Sequence, residues 1–269
     1  MIKNKKLLID KDCPMCQMYG KGFTQLKWID ERTVSYYQSC PTNLSRDIDM
    51  ERAKSEIAFH DPDKGTTKYG IDAFIEILWK GKIKRFLRIQ PVYWALKKLY
   101  RFISFNRKVI APAHSSVKNN DCTPPIHLGY RLIYIAFSII LFGVGLDYIL
   151  KTFQNHFSLQ IQIHPILLAA IPFGIQTAVL ALRGLRSKLN YLGNMATVAN
   201  ISFLLVIPAV FIFQLLNLPL VYILLAIGLA GYITFLEIQT RTRSLKQPPI
   251  LNFTWLVSHF SILLIPFLS

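Results

Sequence analysis

The apolar positions of this chain change rhythm near residue 130. Before that point they come in short runs between charged residues. The run KKLLI (5–9) reads as a brief buried strand that ends at Asp10. From residue 13 the spacing turns helical: in CPMCQMYGKGFTQLKW, Cys16, Tyr19, Phe23 and Leu26 share one face. TVSYYQS (33–39) and SEIAFH (55–60) alternate as strands, DPDKG (61–65) reads as a turn, and TTKYG reads as its second arm. IDAFIEILW (71–79) returns to a helical period. Strand, helix, strand, hairpin, helix is the order of a small α/β domain.

After residue 130 the apolar residues form long blocks. A membrane-crossing helix needs about 20 largely apolar residues. Five blocks approach that length: 132–150, 165–182, 198–216, 219–236 and the shorter 253–268. Pro172 and Pro208 fall inside blocks, which a bundle tolerates because neighbouring helices satisfy the freed backbone groups. The pattern therefore predicts an α/β domain over 1–112, a linker over 113–129 and an all-α transmembrane domain of about five spans over 130–269.

Charge supports the division. Residues 1–129 hold 23 Lys/Arg and 13 Asp/Glu, and residues 130–269 hold 8 and 2. Charged residues make up 17% of the chain, against about 25% in a soluble domain, and the second half accounts for the deficit. Arg183, Arg186 and Lys188 follow the second block, and Arg241, Arg243 and Lys246 follow the fourth. The turns after the first and third blocks are nearly free of Lys/Arg. This alternation predicts an integral, multi-pass membrane protein with its N-terminal domain in the cytosol. The N-terminal apolar run is only three residues long, whereas a secretory signal core needs about 7–15.

Two of the four cysteines stand in DKDCPMC (10–16). They lie at the junction of the first strand and the first helix. Cys13 is expected at the helix N-cap, with Pro14 at the first helical position. There the free backbone N–H groups and the helix dipole favour a thiolate. Cys16, one turn further, can attack a mixed disulfide formed on Cys13. Cytosolic thiols stay reduced, so the pair reads as reactive rather than as a structural crosslink. Asp10 at the strand end has two readings: a carboxyl that exchanges a proton with Cys16, or a cap for the turn. Asp12 reads as a turn residue.

A lone Cys-x-x-Cys also serves zinc and copper. Zinc would need four ligands, and Cys13, Cys16 and Cys40 would need a distant fourth such as His60. Cys40 and Cys122 read as bystander thiols. In the membrane blocks, Asp147, Gln176 and His259 are candidates because intramembrane polar groups are costly. For His259 the plainer reading is a neutral ring hydrogen-bonded inside the bundle. His156 and His164 flank an outer turn, where two histidines point only weakly to a metal or haem. Residues 77–120 carry 11 Lys/Arg and no acid, interleaved with Phe86, Trp94, Leu99, Tyr100 and Phe102. Nucleic acid is one partner for such a stretch. A bilayer surface is the better one, because the segment leads into the first span.

IDKDCPMC resembles the Asp-x-x-Cys-x-x-Cys signature of the DCC family of thiol-disulfide oxidoreductases. Asp10, Cys13 and Cys16 fall on its three named positions, and Lys11 stands where the family commonly has Gly. The likeness continues through HDPDKGTTKYGIDAF and PVYWALKKLYRFISFNR and covers roughly residues 5–110. It implies a thioredoxin-like fold for the α/β domain and an exchange of disulfides with a protein or small-thiol substrate. A redox dithiol calls for no cofactor beyond itself and no metal, and with the basic stretch read as a bilayer contact no nucleic acid is expected. A non-enzymatic transporter or assembly factor, whose cytosolic domain binds a metal or a partner, is the alternative.

Overall fold

The computed structural model describes residues 4–78, 81–112, 122–157, 164–184 and 188–264. These form two compact units, Met1–Tyr130 and Arg131–Ser269.

The first unit is built on four strands: β1 (Lys6–Ile9), β2 (Val34–Tyr36), β3 (Ala58–Asp61) and β4 (Thr66–Tyr69). Their order in the sheet is β2-β1-β3-β4. β1 runs parallel to β2, pairing Leu7 with Val34, and antiparallel to β3, pairing Leu7 with Phe59. β3 and β4 form the expected hairpin. β1 is central and buried on both faces, which is why it reads as an unbroken apolar run.

Successive side chains on a strand point to opposite faces. Leu7, Ile9, Ile57 and Phe59 therefore enter one core, which they share with α1 (Pro14–Gln25) and α4 (Ile71–Leu78). Leu8 and Ala58 enter the other, beneath α2 (Thr42–Asp47) and α3 (Met50–Ala53). These last two helices are too short for a period to show in sequence. β2 is also shorter than the alternation over 33–39 predicts. Its partner ends at Ile9, opposite Tyr36, so Tyr37–Ser39 have no strand to pair with and close into a single 3₁₀ turn.

Helices α5 (Gly81–Leu87) and α6 (Gln90–Ile110) complete the unit. α6 is fastened to the entry of β3 by three polar contacts. The Ile57 amide donates to the Tyr100 hydroxyl (3.0 Å), Ser104 donates to the Ser55 carbonyl, and Arg107 donates to the Lys54 carbonyl (2.9 Å). Gly70, between β4 and α4, has φ +58°, and a Cβ there would lie 2.9 Å from the Tyr100 ring. Only glycine fits both the backbone and the space.

Four helices of the second unit are long and apolar enough to cross a membrane. They are α7 (Leu128–Phe157), α8 (Pro165–Leu182), α9 (Lys188–Leu216) and α10 (Leu220–Ser244). Helix α11 (Ile250–Leu264) occupies most of the expected fifth span, whose last residues lie outside the described ones. The helices outrun the apolar blocks. Lys188 opens α9, and Arg241 and Arg243 lie inside α10 rather than in a loop. Arg241 can stay helical because it donates to Glu237 (3.0 Å) and to Asn194 of α9 (3.0 Å). Lys151 is likewise helical and pairs with Asp147 at 2.7 Å. Arg186 and the loop around it lie outside the described residues.

Candidate thiol site

β1 and β2 are parallel, so their carboxyl ends meet at one edge of the sheet. The chain leaves β1 at Ile9, turns through Asp10–Lys11–Asp12 and enters α1. Cys13 is the N-cap of α1 with extended backbone (φ −87°, ψ 114°), and Pro14 is the first helical residue, as the spacing predicts. The turn is held from within and from the 3₁₀ turn that follows β2. Asp12 N donates to Asp10 Oδ1 (3.0 Å), Lys11 N donates to Gln38 Oε1 (3.0 Å), and Gln38 Nε2 donates to Asp10 Oδ1 (2.6 Å). Gln17 reaches back to the Lys11 carbonyl. Lys11 does not adopt a left-handed backbone, so a side chain there introduces no strain.

Both cysteines are free thiols. The Cys16 thiol donates to the Cys13 sulfur, and this bond does most to stabilise a Cys13 thiolate. Burial opposes it; the Arg107 charge and the Cys16 backbone N–H add to it. Cys13 is thereby brought down to about 6. The same bond, together with burial, pushes Cys16 strongly up. The two thiols are therefore unequal in the direction a nucleophile and a resolving thiol require.

An N-cap thiol is expected to be the exposed member of such a pair and the thiol one turn further in the shielded one; here both are shielded. Cys13 is 0% exposed and Cys16 is 3% exposed. Both belong to the core shared by β1, α1 and α4. The N-cap position sets the electronics of Cys13, but the apolar packing of α1 against the sheet sets its exposure. A cleft of about 250 Å³ opens nearby, lined by Ile9, Gln17, Gly20 and Tyr36 among others, and neither cysteine lines it.

Asp10 is 2% exposed. Its Oδ2 lies 3.5 Å from Arg107 Nη2 and 3.7 Å from Lys108 Nζ, and its backbone N–H faces the Cys16 sulfur. The carboxylate thus caps the turn and also stands among two cations and the thiol pair.

Arg107 was not legible as part of the site. It comes from the last turn of α6 and is 4% exposed. Besides Lys54 O and Asp10, it donates to the Cys122 carbonyl at 2.7 Å and lies 3.5 Å from the Cys122 sulfur. Burial disfavours its charge, and the charges of Cys16, Cys122, Cys13 and Asp10 together outweigh that. The only sequence signal is its spacing. Tyr100, Ser104 and Arg107 fall at i, i+4 and i+7, which puts the arginine on the buried stripe of the helix. Gln38 gave no signal at all.

Cys122, in the stretch read as linker, is buried with Leu8, Tyr37 and Ala58 on the opposite face of the sheet. Burial pushes its thiol up to about 11, against the pull of Arg107. Cys40 is half-buried and is also raised by burial. Neither has the character of a nucleophile.

Among the described residues, no three His, Cys, Asp or Glu side chains gather as a metal-binding set. His60 is buried and shares its Nδ1 with the Thr67 hydroxyl (2.9 Å) on the hairpin. His164 caps α8 by accepting from Ile166 N (3.3 Å). Gln176 bonds Thr254 and Tyr191. His259 stacks on Phe142 and Trp255, and its Nδ1 has no hydrogen-bond partner among the described residues, contrary to the bonded ring expected. The side chain of His156 lies outside the described residues.

No family model, curated protein or solved structure matches the chain.

Proposed function

We propose that this chain is a membrane-anchored thiol-disulfide oxidoreductase of the DCC type, with a thioredoxin-like domain in the cytosol. The observation that carries the reading is the inequality of the two thiols, with Cys13 brought down to about 6 at the N-terminus of α1 and Cys16 pushed up one turn later. The signature carried by Asp10, Cys13 and Cys16 supports it. So does the path β1-α1-β2 followed by β3-β4-α4, with sheet order β2-β1-β3-β4.

The chemistry proceeds in two displacements. The Cys13 thiolate attacks one sulfur of a substrate disulfide, forming a mixed disulfide and releasing the other sulfur as a thiolate. Cys16 then loses its proton and attacks the Cys13 sulfur. A Cys13–Cys16 disulfide forms, and the second substrate thiol leaves. The substrate gains two electrons and the dithiol loses two, so a further thiol reductant must restore the pair. In this reading Asp10, whose backbone N–H faces the Cys16 sulfur, takes the Cys16 proton in the second step. The dithiol itself holds the electrons, so the reading calls for no bound cofactor. The net direction in the cytosol is reduction of a protein or small-thiol disulfide.

Anaerobic mass spectrometry of the purified protein tests this. Mild oxidation should remove two protons from the peptide spanning Cys13 and Cys16. Stoichiometric zinc or copper on that peptide, with no such loss, would sink the reading in favour of a binding protein. Cys16→Ser should trap substrate on Cys13, and Cys13→Ser should trap nothing. In single turnover, Asp10→Asn should slow the second displacement and spare the first, by roughly 10²-fold or more for a lost acid–base group.

A further inference from the structure

α5 and the first half of α6 leave an apolar surface uncovered. α5 buries none of its side chains. Ile83, Phe86 and Ile89 follow one another at three-residue spacing and are 56%, 57% and 48% exposed. On α6 the exposed positions are Pro91, Ala95 and Leu99 in one row and Gln90, Trp94 and Lys98 in the next, which together make a single helical face. The other side of α6 faces inward, where Tyr93 donates to Asp72 (2.8 Å) and Tyr100 accepts from Ile57. Contiguous apolar area of this kind is unusual on a soluble surface and marks a contact.

The charges around it identify the contact. Lys84 and Arg88 are engaged by Glu76, and Arg101 by Glu56. Lys82, Arg85, Lys97 and Lys98 make no ion pair among the described residues. Lys98 Nζ sits 5.5 Å over the Trp94 ring, a cation and an aromatic edge presented together. Residues 81–112 contain no acid. A second copy related by a twofold axis would bring cation against cation. A nucleic acid would meet the cations but leave Ile83, Ile89 and Leu99 without a partner. A bilayer surface rich in anionic lipid meets both, with apolar side chains at the headgroup–acyl boundary and basic side chains at the phosphates.

We propose that the outward face of α5 and the first half of α6 docks on an anionic membrane surface. Ile83, Phe86, Trp94 and Leu99 enter the interface, and Lys82, Arg85 and Lys98 bind lipid phosphate; Lys97 leans instead over the Tyr93 ring (5.8 Å) at the inward side of α6. This docking is independent of the thiol chemistry.

The test uses the full chain in bilayer nanodiscs of phosphatidylcholine, with and without phosphatidylglycerol, carrying brominated acyl chains. The difference between the chain and its Trp94→Phe variant isolates the Trp94 fluorescence. That fluorescence should be quenched in the anionic bilayer and much less so in the neutral one. Quenching should fade at about 1 M salt, where the Debye length is about 3 Å. Lys82→Gln, Arg85→Gln and Lys98→Gln should each lower the docked-to-free ratio by about fivefold, from about 1 kcal/mol per basic residue at such a surface. Equal quenching in the two lipids, or none in either, would overturn the proposal. So would a Trp94 shielded from aqueous quencher but untouched by brominated lipid, or one shielded only when an oligonucleotide is added.

Discussion

A guanidinium at 4% exposure has to be matched by acceptors or by negative charge. Arg107 finds two carbonyls, the Asp10 carboxylate and the Cys13 thiolate. It stabilises the unit and a Cys13 thiolate at once, and substitutions separate the two effects. Arg107→Gln should raise the Cys13 pKa, because an adjacent opposite charge is lost, but by less than loss of the Cys16 hydrogen bond would. Arg107→Lys keeps the charge but cannot span Lys54 O and Cys122 O together. It should lose stability and keep most of the thiolate. Thiolate absorbance, corrected by Cys13→Ser, reads this without requiring access to the buried sulfur. In the unaltered chain the thiolate signal should fall as pH drops through about 6. In the denatured chain it should fall near the ordinary value of about 8.5. A folded-state midpoint above 8 would remove the electrostatic basis of the site. At this scale the motif residues were legible because their chemistry is local: an N-cap, a proline and a one-turn spacing. Arg107 was not, because nothing within the motif reports a residue more than ninety positions away.

At the scale of elements, α1, α4 and α6 are joined through one ring. Phe74 of α4 packs edge-on to Tyr19 (5.2 Å) and Phe23 (5.5 Å) of α1, and lies 5.8 Å from Tyr100 of α6. The same core covers both thiols, so under the proposed function its loosening would be the route by which a disulfide reaches Cys13. Phe74→Ala should cost about 3 kcal/mol, as truncation of a core Phe does. It should also speed the reaction of Cys13 with a small disulfide at unchanged thiolate content. Lower stability without faster reaction would mean that opening occurs elsewhere. The strands and α1 were legible because a half-buried strand alternates and an amphipathic helix repeats. β2 ended early and α2 and α3 went unseen because partner length and tertiary packing set them. The burial of Cys13 was likewise a property of packing, which a cap position does not report.

At the scale of the molecule, the proposed topology of the four apolar helices, drawn from the alternation of basic ends, can be read by chemistry. Asn217, in the turn between α9 and α10, and Lys246, just past α10, should lie on opposite sides of the membrane. Asn217→Cys should react with an impermeant maleimide added to intact cells. Lys246→Cys should react only after permeabilisation. The reverse pattern would invert the orientation and place the thiol unit outside the cytosol. The apolar blocks were legible because hydrocarbon demands length. The helical extensions carrying Lys188 and Arg241 were not, since polar partners such as Asn194 and Glu237 hold them.

The partners of Arg107 also fix an order in time. A chain is made from its N-terminus, and the arginine's carbonyl acceptors belong to Lys54 and Cys122. The thiol unit cannot close its charged core until Cys122 has been synthesised. Only residues 123–127 then separate it from the first residue of α7. At about 5–20 residues per second, that gap passes in about a second or less. The last acceptor that Arg107 requires and the first residues of α7 are therefore made within about a second of each other, so closure of the charged core and the start of the first long apolar helix fall together in synthesis.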